Sequence, residues 1–412
     1  SNTGHAFNRI GYDFSKQSLL ANLGARSKHF SYIEAPESLY FQVPTPLTEL
    51  FYRTAFEQGR IAHTTITANL SPQFNFAFTY KGARSLGKYV NFRSAYERFQ
   101  FSFKYQSLNT RYTLWGHYSN QSIENQENGG LDEEGILLFE TGDPDFKDRS
   151  VLDVRFKTAE SLLAGKRSFI DHHWNIVPPK DSVRTKLLIG HRFVDESRYY
   201  SYVDSKKTDH FGDLVIGFSK INDLAKLFRT KNQVYTEFKT PYTGKLRAGI
   251  TSVQSNYFFG LEEEDVVSES IPNQIKTTQL LLNGDWKFQW KGFSMQANLQ
   301  KSISGSLLSD EIGFKAQYEF PNKTSFTARA SFRNQTPDFN FQLYKSDYLN
   351  YNWYNPDLEN QNTTHFSFNF KHPQLGRLYV HWQLISNYTY FNTTKFESKP
   401  EDPDVDRESI LY

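Results

Sequence analysis

Cysteine is absent from the 412 residues, and methionine occurs once. Without thiols there is no disulfide scaffold, no cysteine zinc site and no cysteine nucleophile, and the absence suits an oxidising compartment. Long apolar runs are missing too. The longest are short, such as Leu280-Leu281-Leu282, far below the ~18 residues of a transmembrane helix. The opening SNTGHAFNRI lacks the basic-then-apolar plan of a secretory signal, so an exported chain is expected here in processed or trimmed form. An excess of either charge is missing: 47 Lys and Arg stand against 45 Asp and Glu, a net charge of +2, which indicates no nucleic-acid partner and no basic membrane-surface patch. The motifs G-x-x-x-x-G-K-[ST], H-E-x-x-H and G-x-S-x-G do not occur, and no cofactor or enzymatic constellation is indicated. His172 and His173 are adjacent in a strand-like stretch, so their side chains leave opposite faces, a poor start for one metal.

What the chain has is aromatics: 17% of its residues, with 37 Phe and 25 Tyr. They alternate with polar residues. In YERFQFSFKYQ, Phe99, Phe101, Phe103 and Tyr105 interleave with Gln100, Ser102, Lys104 and Gln106. The same period of two runs through Phe74–Tyr80, Phe293–Leu299, Ile312–Phe320, Phe326–Phe332, Phe366–Phe370 and Leu378–Leu384. Period two means strands whose two faces meet different surroundings. The best helical candidate is SKINDLAKLF (219–228). A soluble β-sandwich also alternates, yet these segments run to ~9–12 residues, the length of a tilted strand crossing a bilayer. A negative mean hydropathy of −0.64 does not oppose this, because averaging hides a one-sided apolar face.

Strands are expected near 46–56, 60–70, 73–82, 95–106, 110–120, 167–177, 182–194, 231–240, 245–257, 275–290, 293–303, 308–320, 324–335, 364–371 and 377–391. Connections after even strands are tight and rich in turn formers, as in SPQ, SLNT, PPKD, KG and PNKT. Those after odd strands are mostly long: 121–166, 195–230, 258–274 and 336–363, with short exceptions near Gln58-Gly59 and Ser304-Gly305. Segregated loop lengths are the mark of an all-β, antiparallel transmembrane barrel with short periplasmic turns and long external loops. A barrel of about 16 or more strands is therefore expected over 46–412. Residues 1–45 would form a periplasmic N-terminal segment, a plug or a tether. An odd strand count leaves closure to one more strand including Ser409–Tyr412, or to a C-terminal truncation. Trp290, Tyr112 and Tyr318 sit near strand ends, where interfacial aromatics belong.

The polar phase of the strands carries Arg98, Lys104, Arg111, Arg184, Lys186, Arg192, Arg247, Lys287, Lys315, Arg329, Arg333, Lys371 and Arg377, against the acids Glu237, Asp285 and Glu319. The pore-lining candidates are Lys104, Arg111, Arg184, Lys186, Arg247, Lys287, Lys315, Arg329, Arg333 and Lys371. On an inner wall they would bias entry towards anions; snorkelling at the rims, or pairing with N-terminal acids, is the alternative. The long loops are acidic, as in ENQENGGLDEE (124–134), DPDFKD (143–148), LEEED (261–265) and EDPDVD (401–406). Such loops could bind divalent cations that bridge lipopolysaccharide. Asp402, Asp404 and Asp406 follow a D-x-D-x-D spacing, but Arg407 stands where a calcium loop wants glycine and no Glu closes it.

The segments TPLTELFYRTAFEQG (45–59), SPQFNFAFTYKGARSLGKY (71–89), ENGGLDE (127–133) and ESLLAGKRSFIDHHW (160–174) resemble the putative porin family of Bacteroidota-type bacteria. The resemblance covers most of 40–390 and implies a barrel in the bacterial outer membrane with a channel role. It brings no catalytic residues, and its members are similar to longer chains. The functional expectation is a channel for passive diffusion of small hydrophilic solutes, anion-preferring, whose partners are the lipid bilayer, lipopolysaccharide and small polar solutes. The alternative is a structural or accessory barrel of an outer-membrane export or assembly complex, with 195–230 and 336–363 docking other outer-membrane proteins. A soluble β-rich binding protein is the third class.

Overall fold

The aromatic and β-branched segments form one antiparallel meander of fifteen strands in the computed structural model, which describes His5 and residues 18–142, 144–177, 185–215, 220–260 and 271–391. The strands are β1 (Leu47–Ala55), β2 (Gly59–Ser71), β3 (Phe74–Ser85), β4 (Ser94–Gln106), β5 (Tyr112–Gln126), β6 (Glu160–Asn175), β7 (Lys186–Asp204) and β8 (Ile221–Thr240). They continue as β9 (Gly244–Phe259), β10 (Gln274–Trp290), β11 (Phe293–Gly305), β12 (Asp310–Glu319), β13 (Ser325–Gln335), β14 (Gln361–His372) and β15 (Gly376–Ser386). Each pairs with its sequence neighbour, and β1 and β15 are the end strands among the described residues. The expected further strand at Ser409–Tyr412 lies outside the described residues, as do Arg184, Asp402, Asp404, Asp406 and the LEEED and EDPDVD stretches.

Connection lengths segregate largely as expected, although ten residues, 176–185, separate β6 from β7, and the PPKD expected as their turn lies outside the described residues. β2–β3, β4–β5, β8–β9, β10–β11, β12–β13 and β14–β15 are joined by two to five residues at one end of the sheet. The opposite end carries the described residues 127–142, 144–159, 205–215 and 336–360. The first of these holds helix α1 (Glu133–Thr141), capped by Asp132, whose carboxylate accepts from the Gly135 N–H at 2.8 Å. The last folds inward and carries a two-residue ribbon, Leu343–Tyr344 against Trp353–Tyr354.

Burial along the strands near the short turns is inverted relative to a soluble protein. Thr65, Thr67, Gln100, Ser102, His117 and Ser119 are buried, whereas Ile66, Phe78, Phe99 and Tyr118 are 40–44% exposed. Apolar side chains on the outside and polar ones inside are what a barrel in hydrocarbon requires, because lipid buries the outer face. Cross-strand ring pairs knit that face together: Phe78 and Phe101 have centroids 4.9 Å apart, and Phe326 and Phe370 are 5.0 Å apart. Tyr112 stacks near Trp174 at the short-turn end, where Trp290 and Tyr318 also lie exposed.

The phase reverses towards the long loops. On β9, Leu246 and Ile250 face out, yet Val253, Tyr257 and Phe259 are buried on the inner face. On β8, Val234 and Phe238 are exposed, whereas Ile221, Ala225 and Leu227 are buried. The outer ends of the long strands thus surround a protein core of Ala21, Leu23, Tyr32, Ile123, Leu163, Leu227, Tyr257, Phe259, Phe339 and Leu343.

Two expectations are corrected here. SKINDLAKLF is not helical: from Ile221 it is the first half of β8, because Ala225 and Leu227 meet this core and Ile221 is buried while Phe228 faces out. Tertiary packing overrides the local 3.6-like spacing. The strands expected at 167–177, 182–194 and 231–240 extend seven to ten residues further at their long-loop ends, where the alternation changes phase.

Candidate functional site: the interior of the barrel

The inner wall is occupied on one side by residues 18–43, which run from the long-loop end towards the short-turn end. At the top, the Asn22 N–H donates to Asp338 Oδ1 at 3.0 Å, Arg26 Nε donates to Asp338 Oδ2 at 2.6 Å, and the Phe339 N–H donates to the Asn22 carbonyl at 2.9 Å. Asp338 is 1% exposed, so this carboxylate ties the inward-folded loop to the N-terminal segment. Lys28 pairs with Glu127, and Arg229 donates to the Ala21 carbonyl and to Asn22 Oδ1. Midway, Gln121 holds both backbone groups of Ile33 at 3.0 Å. Lower down, Tyr40 reaches His117 Nδ1 at 2.6 Å, Lys104 donates to Gln42 Oε1 at 2.9 Å, and Asn69 donates to the Val43 carbonyl at 2.5 Å.

The centre of the contact is ionic. Arg167, 1% exposed, meets Glu196 at 3.1 Å and Glu34 at 3.8 Å. Arg198 meets Glu34 at 2.6 Å and Glu196 at 2.8 Å, and its guanidinium lies 4.4 Å over the Tyr32 ring. Two arginines against two glutamates leave little net charge, so this knot anchors rather than selects. Burial pushes the His29 imidazole down to about 4, with the Arg198 charge acting in the same direction. Burial likewise pushes the Tyr32 hydroxyl up.

Below the knot a second network lines the wall. Tyr235 packs its ring over Gly190, where a Cβ would meet the ring at 2.3 Å, and its hydroxyl donates to Asp171 Oδ1 at 2.7 Å. Arg192 pairs with Asp171 at 2.6 Å, and Arg247 lies 4.4 Å over the Tyr235 ring while pairing with Glu237 at 2.7 Å.

The sequence-derived candidates Lys104, Lys186, Arg247, Lys287, Lys315, Arg329, Arg333 and Lys371 stand on the polar phase of the wall, whereas Arg111, expected there too, lies in the turn before β5. They are not equivalent. Arg247 is neutralised by Glu237, and Arg333 by Glu311 at 3.2 Å. Lys186, Lys287, Lys315, Arg329 and Lys371 have no carboxylate within salt-bridge distance among the described residues. Asp171, Glu196 and Glu311 are interior acids that the sequence reading missed, as are the interior bases Arg167, Arg198 and Arg229. Their signal was the polar phase itself: Glu196, Arg198 and Arg229 lie where strands were drawn too short, whereas Arg167, Asp171 and Glu311 stood within the expected strands and were not singled out. His172 and His173 do leave opposite faces: His172 meets His191 across the strand pair at 3.3 Å, and His173 faces Trp115. No group of three or more metal-capable side chains occurs among the described residues.

Comparison with known proteins agrees with this architecture. The model of the "Putative porin" family matches residues 1–402, and the chain belongs to that family. No curated protein matches it. Among solved structures it is similar to the ferric-catecholate import receptor Fiu of E. coli K12 in its closed form, with a TM-score of 0.54 and 11% identity over 85% of this chain and 59% of that one. It is also similar to the siderophore receptor PirA of Acinetobacter baumannii, with a TM-score of 0.54 and 8% identity over 82% of this chain and 51% of that one. At these identities the likeness is one of fold, and the chain spans just over half the length of either receptor. The protein is a porin-like β-barrel of the bacterial outer membrane.

Proposed function

We propose that the chain forms a channel for passive diffusion of small hydrophilic solutes, narrowed by residues 18–43 and anion-preferring. The observation that carries this reading is the polar inner wall with cations left without carboxylate partners at Lys186, Lys287, Lys315, Arg329 and Lys371. Low-dielectric walls focus the field of such charges on whatever enters. The described acids of the N-terminal segment do not cancel it, because Glu34 is engaged by Arg167 and Arg198, and Glu37 accepts from the Glu34 N–H at 2.9 Å. No enzymatic step belongs to this reading. The test is the reversal potential of the full chain in a planar bilayer under a salt gradient. Anion selectivity is expected, and cation selectivity would refute the preference.

The packed outer core favours a second reading, since Tyr257, Phe339 and Leu343 fill part of the mouth. On that reading the barrel is a scaffold for an outer-membrane assembly and the inward loop is its rigid cap. A chain that inserts but gives no conductance steps, and co-purifies in detergent with other outer-membrane proteins, would select the scaffold.

A further inference from the structure

We propose that the inner wall carries a binding site for small solutes with two or more phosphoryl charges, formed by a row of cations aligned in register. The proposal rests on the barrel being a wet channel and names what that channel holds. Lys186 on β7 stands opposite Lys239 on β8, Lys239 opposite Lys245 on β9, and Lys245 opposite Lys287 on β10. Lys287 faces Gln296 of β11, Gln296 faces Lys315 on β12, and Lys315 faces Arg329 on β13. Six cations and one carboxamide thus share a single register line across seven adjacent strands. At ~4.8 Å per strand the line is about 29 Å long. It starts at the short-turn rim on β7 and β8 and climbs into the barrel on β12 and β13.

Like charges directly opposite one another destabilise a sheet, and four pairs here repeat that cost, three of them successive from Lys186 to Lys287 and the fourth, Lys315 with Arg329, beyond Gln296. A wall built for stability alone would interleave acids. Among the described residues, Glu237 is the carboxylate that reaches the row, at 2.9 Å from Lys245, and it is shared with Arg247. The other nearby acids lie off the line: Asp285 stands opposite Arg247, Glu311 pairs with Arg333, and Glu319 stands opposite Ser325. Lys186, Lys239, Lys287 and Arg329 are exposed, and Lys245 and Lys315 are partly so. Strand neighbours Phe238, Leu246, Phe288 and Phe314 take the opposite, lipid-facing phase, so the row lies against a low-dielectric wall.

Five of the six cations are lysines. Lysine offers a compact point charge, suited to phosphoryl oxygens, whereas planar carboxylates are best gripped by the arginine fork. Neighbouring ammonium groups about one strand spacing apart match a solute that carries two phosphoryl groups, or a phosphoryl beside a second negative group.

The test uses the full chain in detergent, titrated calorimetrically with pyrophosphate and, separately, with acetate. Wild type is expected to bind pyrophosphate at least tenfold more tightly than acetate. The triple variant Lys239→Gln/Lys245→Gln/Lys287→Gln should lose at least tenfold in pyrophosphate affinity, and arginine at the same three positions should restore most of it. Folding is checked by the unfolding temperature. Relief of like-charge repulsion is expected to leave it unchanged or raise it, whereas a row that served the fold would lower it. Unaltered pyrophosphate binding in the triple variant, equal affinity for acetate, or full displacement of pyrophosphate by anionic lipid micelles (which would assign the row to headgroups) would each overturn the proposal. Because calorimetry is independent of conductance, a chain that binds pyrophosphate but does not conduct refutes the channel alone, and one that conducts but does not bind refutes the row alone.

Discussion

Strand β9 contains two molecules' worth of logic in sixteen residues. In its first half Leu246 and Ile250 point outward and Arg247 inward; in its second half Val253, Tyr257 and Phe259 point inward and Gln254 and Asn256 outward. The period of two never changes, but the face that needs apolar cover does. Near the short turns the outer face is solvated by hydrocarbon and the inner face by water, so aromatics go out. Near the long loops water lies outside and the N-terminal segment with loop 336–360 lies inside, so aromatics go in. The same alternation serves a membrane protein below and a soluble core above. The changeover on β8 and β9 is the expected edge of the bilayer, where Phe228 and Phe258 still pair their rings on the outer face, 5.1 Å apart.

Four outcomes sharpen that contrast. The largest effect is expected from Tyr257→Ala in the upper half. Tyr257 is fully buried and stacked on Phe339 at 5.2 Å, so truncation opens a cavity and should cost about 3–5 kcal/mol in denaturant unfolding. Next comes Ile250→Lys on the lipid-facing half, expected to cost about 2–4 kcal/mol, because a charge placed among acyl chains is poorly solvated.

A third outcome concerns pH. His29 is neutral in the packed state, with its pKa pushed down to about 4 from an ordinary ~6.5. Protonation therefore favours the undocked segment: docking is at full strength above pH 6.5 and weakens as pH falls below it, by about 2 kcal/mol at pH 5. Hydrogen exchange over residues 18–43 should accelerate between pH 7 and pH 5 after correction for the intrinsic rate, and His29→Gln should abolish the difference. The smallest effect is expected from Asn256→Lys. It lies on the same outward face as Ile250, six residues further along β9 and opposite Phe228, and should change stability by only about 0.5 kcal/mol, since that end lies towards the long loops and the side chain is partly exposed. If Ile250→Lys and Asn256→Lys were equally costly, the boundary between the halves would be misplaced.

Much of this was legible in the sequence, and the reason is the lipid-facing half. There the alternation is stark, as in Phe99–Tyr105, and the tight turns at PNKT and KG locate one rim. The upper half was harder to read, because Tyr200, Ser201 and Tyr202 alternate weakly and Ile221–Phe228 mimics a helix. Single cations such as Lys287 and Lys315 were visible as polar-phase residues. Which cations are neutralised was not, since Glu237 and Arg247 meet only through register and Glu34 finds Arg198 across 164 positions of chain. Lys239 and Lys245 flank a tight turn and are not among the sequence-derived candidates; the strand pairs align them with Lys186 and Lys287.

The most direct test of the inverted wall exploits the absence of cysteine. Single cysteines at Leu246, Arg247, Ala248, Ile250, Gln254 and Asn256 are labelled with an environment-sensitive fluorophore in reconstituted vesicles, then quenched in turn by a bilayer-confined nitroxide and by aqueous iodide. Nitroxide quenching at Leu246, Ala248 and Ile250, with iodide quenching at Arg247, Gln254 and Asn256, is the predicted result. Iodide quenching of Leu246, Ala248 and Ile250 with no response to the nitroxide would contradict a sheet whose aromatic side is buried by lipid.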